Sequence, residues 1–169
     1  DHRDLHLSLR RQRQMCIRDS FYTNADSSGF MVDIVKIDGT YEEGGGQILR
    51  TAIALSTLTG KQFIIEKIRA KRPKPGLKPQ HLTTIKAIGM LTGARHKGAS
   101  IGSTWLEFYP GEVKQGSYAI DIGTAGSITL LLQGLILPVV ASGAEVELTI
   151  RGGTDVSWSP SWDYFKHVF

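Results

Sequence analysis

The chain repeats itself. Leu58-Thr59-Gly60 aligns with Ala141-Ser142-Gly143, and Ile68-Arg69-Ala70 aligns with Ile150-Arg151-Gly152, an offset of 82 to 83 residues. Similar glycines and a similar order of apolar runs at one fixed interval indicate duplicated structural units, which excludes most single-copy architectures. The periodicity predicts strand Met31–Asp38, helix Gly46–Thr59 closed by Gly60, strand Gln62–Ala70 and helix Lys78–Leu91 with Gly93 near its end. Two further strands follow at Arg95–Ile101 and Thr104–Tyr109, before Pro110-Gly111 turns the chain. The order is β-α-β-α-β-β. It then restarts with strand Tyr118–Ile122, helix Gly126–Ala141, strand Glu145–Arg151 and a helix from about Ser161. The expected class is therefore α/β (α+β), with one complete unit over residues 31–115 and a second, truncated one over 116–169.

Residues 1–20 do not share this pattern. They lack apolar periodicity and any signal-peptide core, and their MCIRDS segment looks like translated adapter sequence, with a natural basic RNA-binding arm as the alternative. They are expected to be disordered or foreign to the fold, and 21–30 to be a linker. The helical pattern at Phe169 has no stop signal, so the chain is expected to continue in a longer protein.

Charge is local rather than global. The formal net charge of +4 falls to +2 once residues 1–20, with five Arg and three Asp, are set aside. Seven Lys or Arg lie between Lys61 and Lys78 against the single acid Glu66, on a stretch stiffened by prolines. Such a run is either a solvated face or a polyanion site, and the Gln80-His81 pair within KRPKPGLKPQHL favours the site. Cys16 is the only cysteine, so neither an internal disulfide nor a cysteine metal centre forms within one chain. The longest apolar run, Ile128–Ala141, is interrupted by Gln133, Gly134 and Pro138 and is too short to span a bilayer, so no membrane partner is expected.

Gly44, Gly45 and Gly46 remove three side chains where a helix begins, which lets free N–H groups approach a phosphate; a tight turn needs the same residues. No GK[ST] follows, so the segment is not a P-loop. Glu43 beside a polyanion makes sense if a divalent cation lies between them, and otherwise is a helix N-terminal charge. Arg50 sits one turn after Gly46, and Arg69 and Arg72 lie near the end of the following strand. Convergent guanidinium groups suit a phosphomonoester; taken singly, each is as readily a surface cation. Gln133 is a polar side chain inside an apolar helix and must find a partner.

Four blocks, EEGGGQILR, IRAKRPKPGLKPQHL, IDIGTAGSITLLLQ and RGGTDVSWSP, together resemble the RNA 3'-terminal phosphate cyclase family and occur in its order from about residue 34 to 169. The resemblance implies repeated units of a four-stranded sheet on two helices, shared with the enolpyruvyl transferases. It implies ATP and a divalent metal (Mg or Mn) as cofactors and RNA 3'-phosphate ends as substrate. The implied reaction forms a 2',3'-cyclic phosphodiester through protein-AMP and RNA-adenylate intermediates. By the same resemblance Arg50, Arg69, Arg72, Gln80, His81 and Gly44–Gly46 face phosphate or RNA, Glu43 faces the metal, and Gln133 and Pro160 face ATP. Thr154 and Asp155 shape the loop before Pro160. The histidine that carries AMP matches no position here and is expected beyond Phe169, which would leave these residues inactive alone. Two alternatives stay open: a non-catalytic cyclase-like RNA-binding protein of ribosome assembly, and an enolpyruvyl transferase-like enzyme. The implied location is the cytoplasm, or the nucleus in a eukaryote.

Overall fold

The structure, a computed structural model, describes residues 21–25, 31–123 and 126–168. Residues 1–20 therefore lie outside the described part, as do residues 26–30 of the expected linker. The other half of that linker is a strand. β1 (Phe21–Ala25) pairs antiparallel with β2 (Met31–Asp38), Phe21 opposite Val35 and Ala25 opposite Met31. Its aromatic and β-branched start, Phe-Tyr-Thr, suits a pleated edge, and the reading as linker overlooked this propensity.

From β2 the chain runs through α1 (Gly46–Thr59), β3 (Phe63–Glu66), α2 (Pro79–Thr92), β4 (Arg95–Lys97) and β5 (Leu106–Tyr109). The sheet order is β1-β2-β3-β5-β4, with β2 and β3 parallel and β5 antiparallel to both its neighbours. β6 (Gly116–Asp121), α3 (Ile128–Ser142), β7 (Val146–Arg151) and α4 (Trp162–Val168) repeat the order of the first four elements after β1. β6 and β7 are parallel, as β2 and β3 are. Paired residues are 30 apart in sequence in the second pair and 28 apart in the first, Tyr118 opposite Leu148 and Val35 opposite Phe63. Each first strand ends on an aspartate that turns the chain: Asp38 Oδ1 accepts from Thr40 N (2.9 Å), and Asp121 Oδ1 from Gly123 N (2.7 Å).

The helices form where apolar residues recur at helical spacing. α1 buries Leu49, Ala52, Ile53 and Ser56; α2 buries Ile85, Ile88 and Leu91; α3 buries Leu131, Leu135 and Pro138. All three end on a left-handed glycine, Gly60, Gly93 or Gly143, at φ of 70°, 74° and 66°. Phe63, Ile65, Leu106 and Phe108 from the sheet meet these helices in one cluster that also takes Ile120 from β6 and Ile122 just after it. α1 and α3 pack side by side, so the second set of elements is laid directly against the first.

Several strands are shorter than expected. β3 stops at Glu66 because Lys67 and Arg69 both adopt the left-handed region, φ 54°. Ile68 between them is buried and donates its N–H to Thr104 O (2.8 Å), so the chain folds inward instead of continuing the ladder. β4 stops at Lys97 before the left-handed Gly98 (φ 80°), where a side-chain carbon would sit 2.8 Å from Trp105 O.

Candidate functional site

The N-terminus of α1 is capped by no side chain. Gly45 is its N-cap, and the first-turn N–H groups have no intrahelical acceptor, so they face outward as donors. Gly44 reaches this turn through φ 59°, and Glu42 before it is also left-handed, φ 49°. The expected phosphate-facing glycines are thus an uncapped helix start. Gly46 is required for a second reason: a side-chain carbon there would collide with His81 Nε2.

His81 comes from the first turn of α2 and is almost fully buried. Its Nδ1 accepts the Lys78 N–H (3.0 Å), which leaves the proton of the neutral ring on Nε2, against Gly46. Burial, and then the cations Arg50, Arg69 and Lys78, push its pKa down to about 4, so at neutral pH the ring is an uncharged donor.

Arg50 is the central residue. It is 7% exposed, yet no carboxylate pairs with it among the described residues. Its Nε donates to Gln133 Oε1 (3.2 Å) on α3 and its Nη2 to Gln47 Oε1 (3.1 Å) one turn earlier on α1. A β-carbon on Gly46 would lie 3.3 Å from Arg50 Nη1, so that end of the guanidinium stands at the mouth of the helix. Burial lowers its pKa to about 10, still well above neutrality. A buried cation held only by neutral amides costs several kcal/mol in desolvation, and an anion beside it offsets that cost.

The loop from Lys67 to Lys78 supplies the remaining cations. Arg72 Nη2 lies near Gly45 and pairs with Glu43 Oε2 (3.1 Å) at the exposed rim. Arg69 donates from Nη1 to Lys74 O (3.0 Å) and Gly76 O (3.2 Å), which clamps its own loop. It is close enough to His81 and Arg72 for their charges to interact. Lys71 Nζ donates to Glu42 O (2.9 Å) and ties this loop to the glycine turn. Gln80 stands beside His81, but no hydrogen bond of its side chain is seen among the described residues; its carbonyl accepts from Thr84 Oγ1 (3.1 Å).

Glu43 is not part of a carboxylate or histidine cluster: among the described residues no group of three or more His, Cys, Asp or Glu side chains is placed to hold a metal ion. One exposed carboxylate at the rim of a donor-lined recess fits a Mg-like ion that keeps its waters and shares phosphate oxygens, rather than an all-protein cage. Pro160 is tied to the same helix as Gln133. Thr129 Oγ1 donates to Pro160 O (2.8 Å), and Thr129 lies one turn before Gln133 on α3. Ser127 caps that helix, accepting from Leu130 N (3.2 Å), and its hydroxyl contacts Thr129 Oγ1 (2.7 Å).

Gln47, Thr51, Ser127 and Thr129 were not singled out in the sequence; the contacts of Gln47, Thr51 and Ser127 are local ones within or beside a helix, and only Thr129 meets a distant partner, Pro160. The S/T at a helix start in GSITL and the i, i+3, i+4 spacing of Gln47, Arg50 and Thr51 were the usable signals. Open hollows of about 680 Å³ at the ends of β6 and β7, and about 470 Å³ beside α2, are not lined by Arg50, His81 or Arg72.

A model of the RNA 3'-terminal phosphate cyclase family matches residues 41–169, which take in every residue of this recess. The chain belongs to the RNA 3'-terminal phosphate cyclase family. Among curated cyclases, that of Methanosarcina mazei is 56% identical over 135 residues, 80% of this chain and 38% of the relative. That of Methanopyrus kandleri is 54% identical over 137 residues, 81% of this chain and 39% of the relative. The Thermococcus kodakarensis cyclase is 57% identical over 134 residues, 79% and 38%. The chain thus spans about two fifths of the length of the cyclases it matches. Among the described residues no helix is long and apolar enough to cross a membrane.

Proposed function

We propose that the protein containing these residues converts an RNA 3'-terminal phosphate to a 2',3'-cyclic phosphodiester with ATP, and that the recess at the start of α1 holds the terminal phosphate. The observation that carries this reading is Arg50, a buried cation with no carboxylate partner, presented by two amide oxygens beside uncapped helix N–H groups and the Nε2–H of His81. Apart from Glu43 at the rim, the groups converging on the recess are donors, which suits a dianionic monoester.

The chemistry follows from the electrophile. A phosphomonoester has no good leaving group, so AMP is first transferred to one of its oxygens with loss of pyrophosphate. The neighbouring 2'-OH then attacks phosphorus, a new P–O bond forms and AMP departs with the bond to the activated oxygen. Arg50, Arg72 and the α1 amides hold the phosphate and spread its charge; Glu43 would hold a divalent ion at its edge; Gln133 and the loop of Pro160 would hold the nucleotide. His81 is a poor carrier of AMP, because its Nδ1 is engaged and its Nε2 abuts Gly46. That carrier would be a histidine outside these 169 residues, as the resemblance implies. Residues 31–115 and 116–169 would then be successive units of a longer repeat array.

The test uses RNA labelled at its 3'-phosphate, incubated with the complete protein, ATP and Mg²⁺ or Mn²⁺. Conversion of the label to a phosphatase-resistant form is expected. Label that stays phosphatase-sensitive with folded protein would favour a non-catalytic RNA-binding role.

A further inference from the structure

Arginine presents five N–H donors in a fixed fork, and a binding arginine is useful only if the correct edge faces the ligand. Arg50 is held along one edge, Nε to Gln133 and Nη2 to Gln47, with Nη1 left toward Gly46. Gln47 is itself oriented. Its Nε2 donates to Thr51 Oγ1 (3.1 Å), one turn further along α1, so its Oε1 is the atom turned to Arg50. Reversed, the amide would set N–H against N–H.

We propose that Gln47 is a positioning residue, which with Gln133 forms a two-amide cradle that aims Arg50 while leaving its charge uncompensated. A carboxylate at either place would grip the same edge more strongly, but it would neutralise the cation that the anion needs. An amide oxygen orients without neutralising. Gln47 and Thr51 are both exposed, so their contact is not one of core packing. This inference rests on the reading of the recess as a terminal-phosphate site, and its test separates the two.

Binding of one short oligoribonucleotide, ending in 3'-phosphate or in 3'-OH, is measured without ATP on the full chain carrying Gln47→Glu, Gln47→Met or Arg50→Met, with a thermal melt of each. Gln47→Glu keeps the size, the acceptor and a charge that suits a helix N-terminus, so its melting temperature should hold or rise. Its preference for the 3'-phosphate should nevertheless fall, by about tenfold for one compromised charge-assisted contact. Gln47→Met should lose preference by a similar factor through misdirection, and Arg50→Met should abolish it. If Arg50→Met abolishes the preference while both Gln47 variants keep it, the positioning role is wrong and the phosphate site stands. If Arg50→Met keeps the preference, the phosphate reading falls, and the role of Gln47 with it.

Discussion

Arg50 sets stability against function at a single residue. A buried charge replaced by an apolar side chain of similar length is often neutral or stabilising, whereas the proposed terminal-phosphate site would need that charge. Arg50→Met is therefore expected to melt at or slightly above the parent temperature. Its affinity for a 3'-phosphorylated end should fall by the worth of a charge-assisted contact, about 1.5–3 kcal/mol. Calorimetry and a binding titration on the same sample check both halves, and a loss of several degrees would show that the guanidinium is structural. His81 makes a second residue-level prediction. Its folded pKa, about 4, lies below the ordinary 6.5, so between those values the unfolded chain takes up a proton that the folded chain does not. Stability should then decline as pH falls from about 6.5 to 4, by on the order of 2–3 kcal/mol from this group, and level off below. Urea midpoints across that range should show the decline in the parent, and a shallower one in His81→Gln.

At the scale of elements, the contact between the start of α1 and the start of α2 is the tightest in the site. Alanine is a better helix former than glycine by about 1 kcal/mol, so propensity alone predicts that Gly46→Ala stabilises. The collision with His81 predicts the opposite, a loss of about 1–3 kcal/mol for an overpacked position, together with a displaced His81. Thermal melts decide the sign. Element boundaries were legible where local chemistry fixes them: Gly60, Gly93 and Gly143 stop helices because only they take the left-handed cap without strain. The end of β3 was not, since Lys67 is left-handed only because Ile68 is drawn inward to Thr104, a contact 36 residues away in the sequence. Arg50, His81 and Gly46 were singled out in the sequence, and the fold brings them together at the start of α1. The two amides that hold Arg50 were not found as such: Gln133 was expected at the nucleotide, and its bond to Arg50 depends on how α3 docks on α1.

Across the whole molecule, the two sets of elements meet at a close approach of α2 and α3. A side-chain carbon on Gly134 would lie 2.7 Å from Thr84 Cγ2. Gly134→Ala should therefore pry the helices apart, costing about 1–3 kcal/mol and weakening the neighbouring Arg50–Gln133 bond. Thr84→Ser deletes that methyl group and keeps the hydroxyl that donates to Gln80 O. The double variant should recover most of the loss, with a coupling of about 1 kcal/mol or more in a double-mutant cycle. Simple additivity would place the damage elsewhere.

The hydrogen bond from Arg50 to Gln133 joins positions 83 residues apart that occupy the same place in the corresponding helices α1 and α3, ten residues before the closing glycine of each. Neither half of the chain therefore holds a finished cradle. If the backbone is opened between Glu112 and Val113, after β5 and before β6, one piece carries the cation and the other an acceptor that aims it. On the proposed reading of the recess, an oligonucleotide ending in a phosphate would then act as a glue between the separate polypeptides, and their reassembly should depend on its concentration.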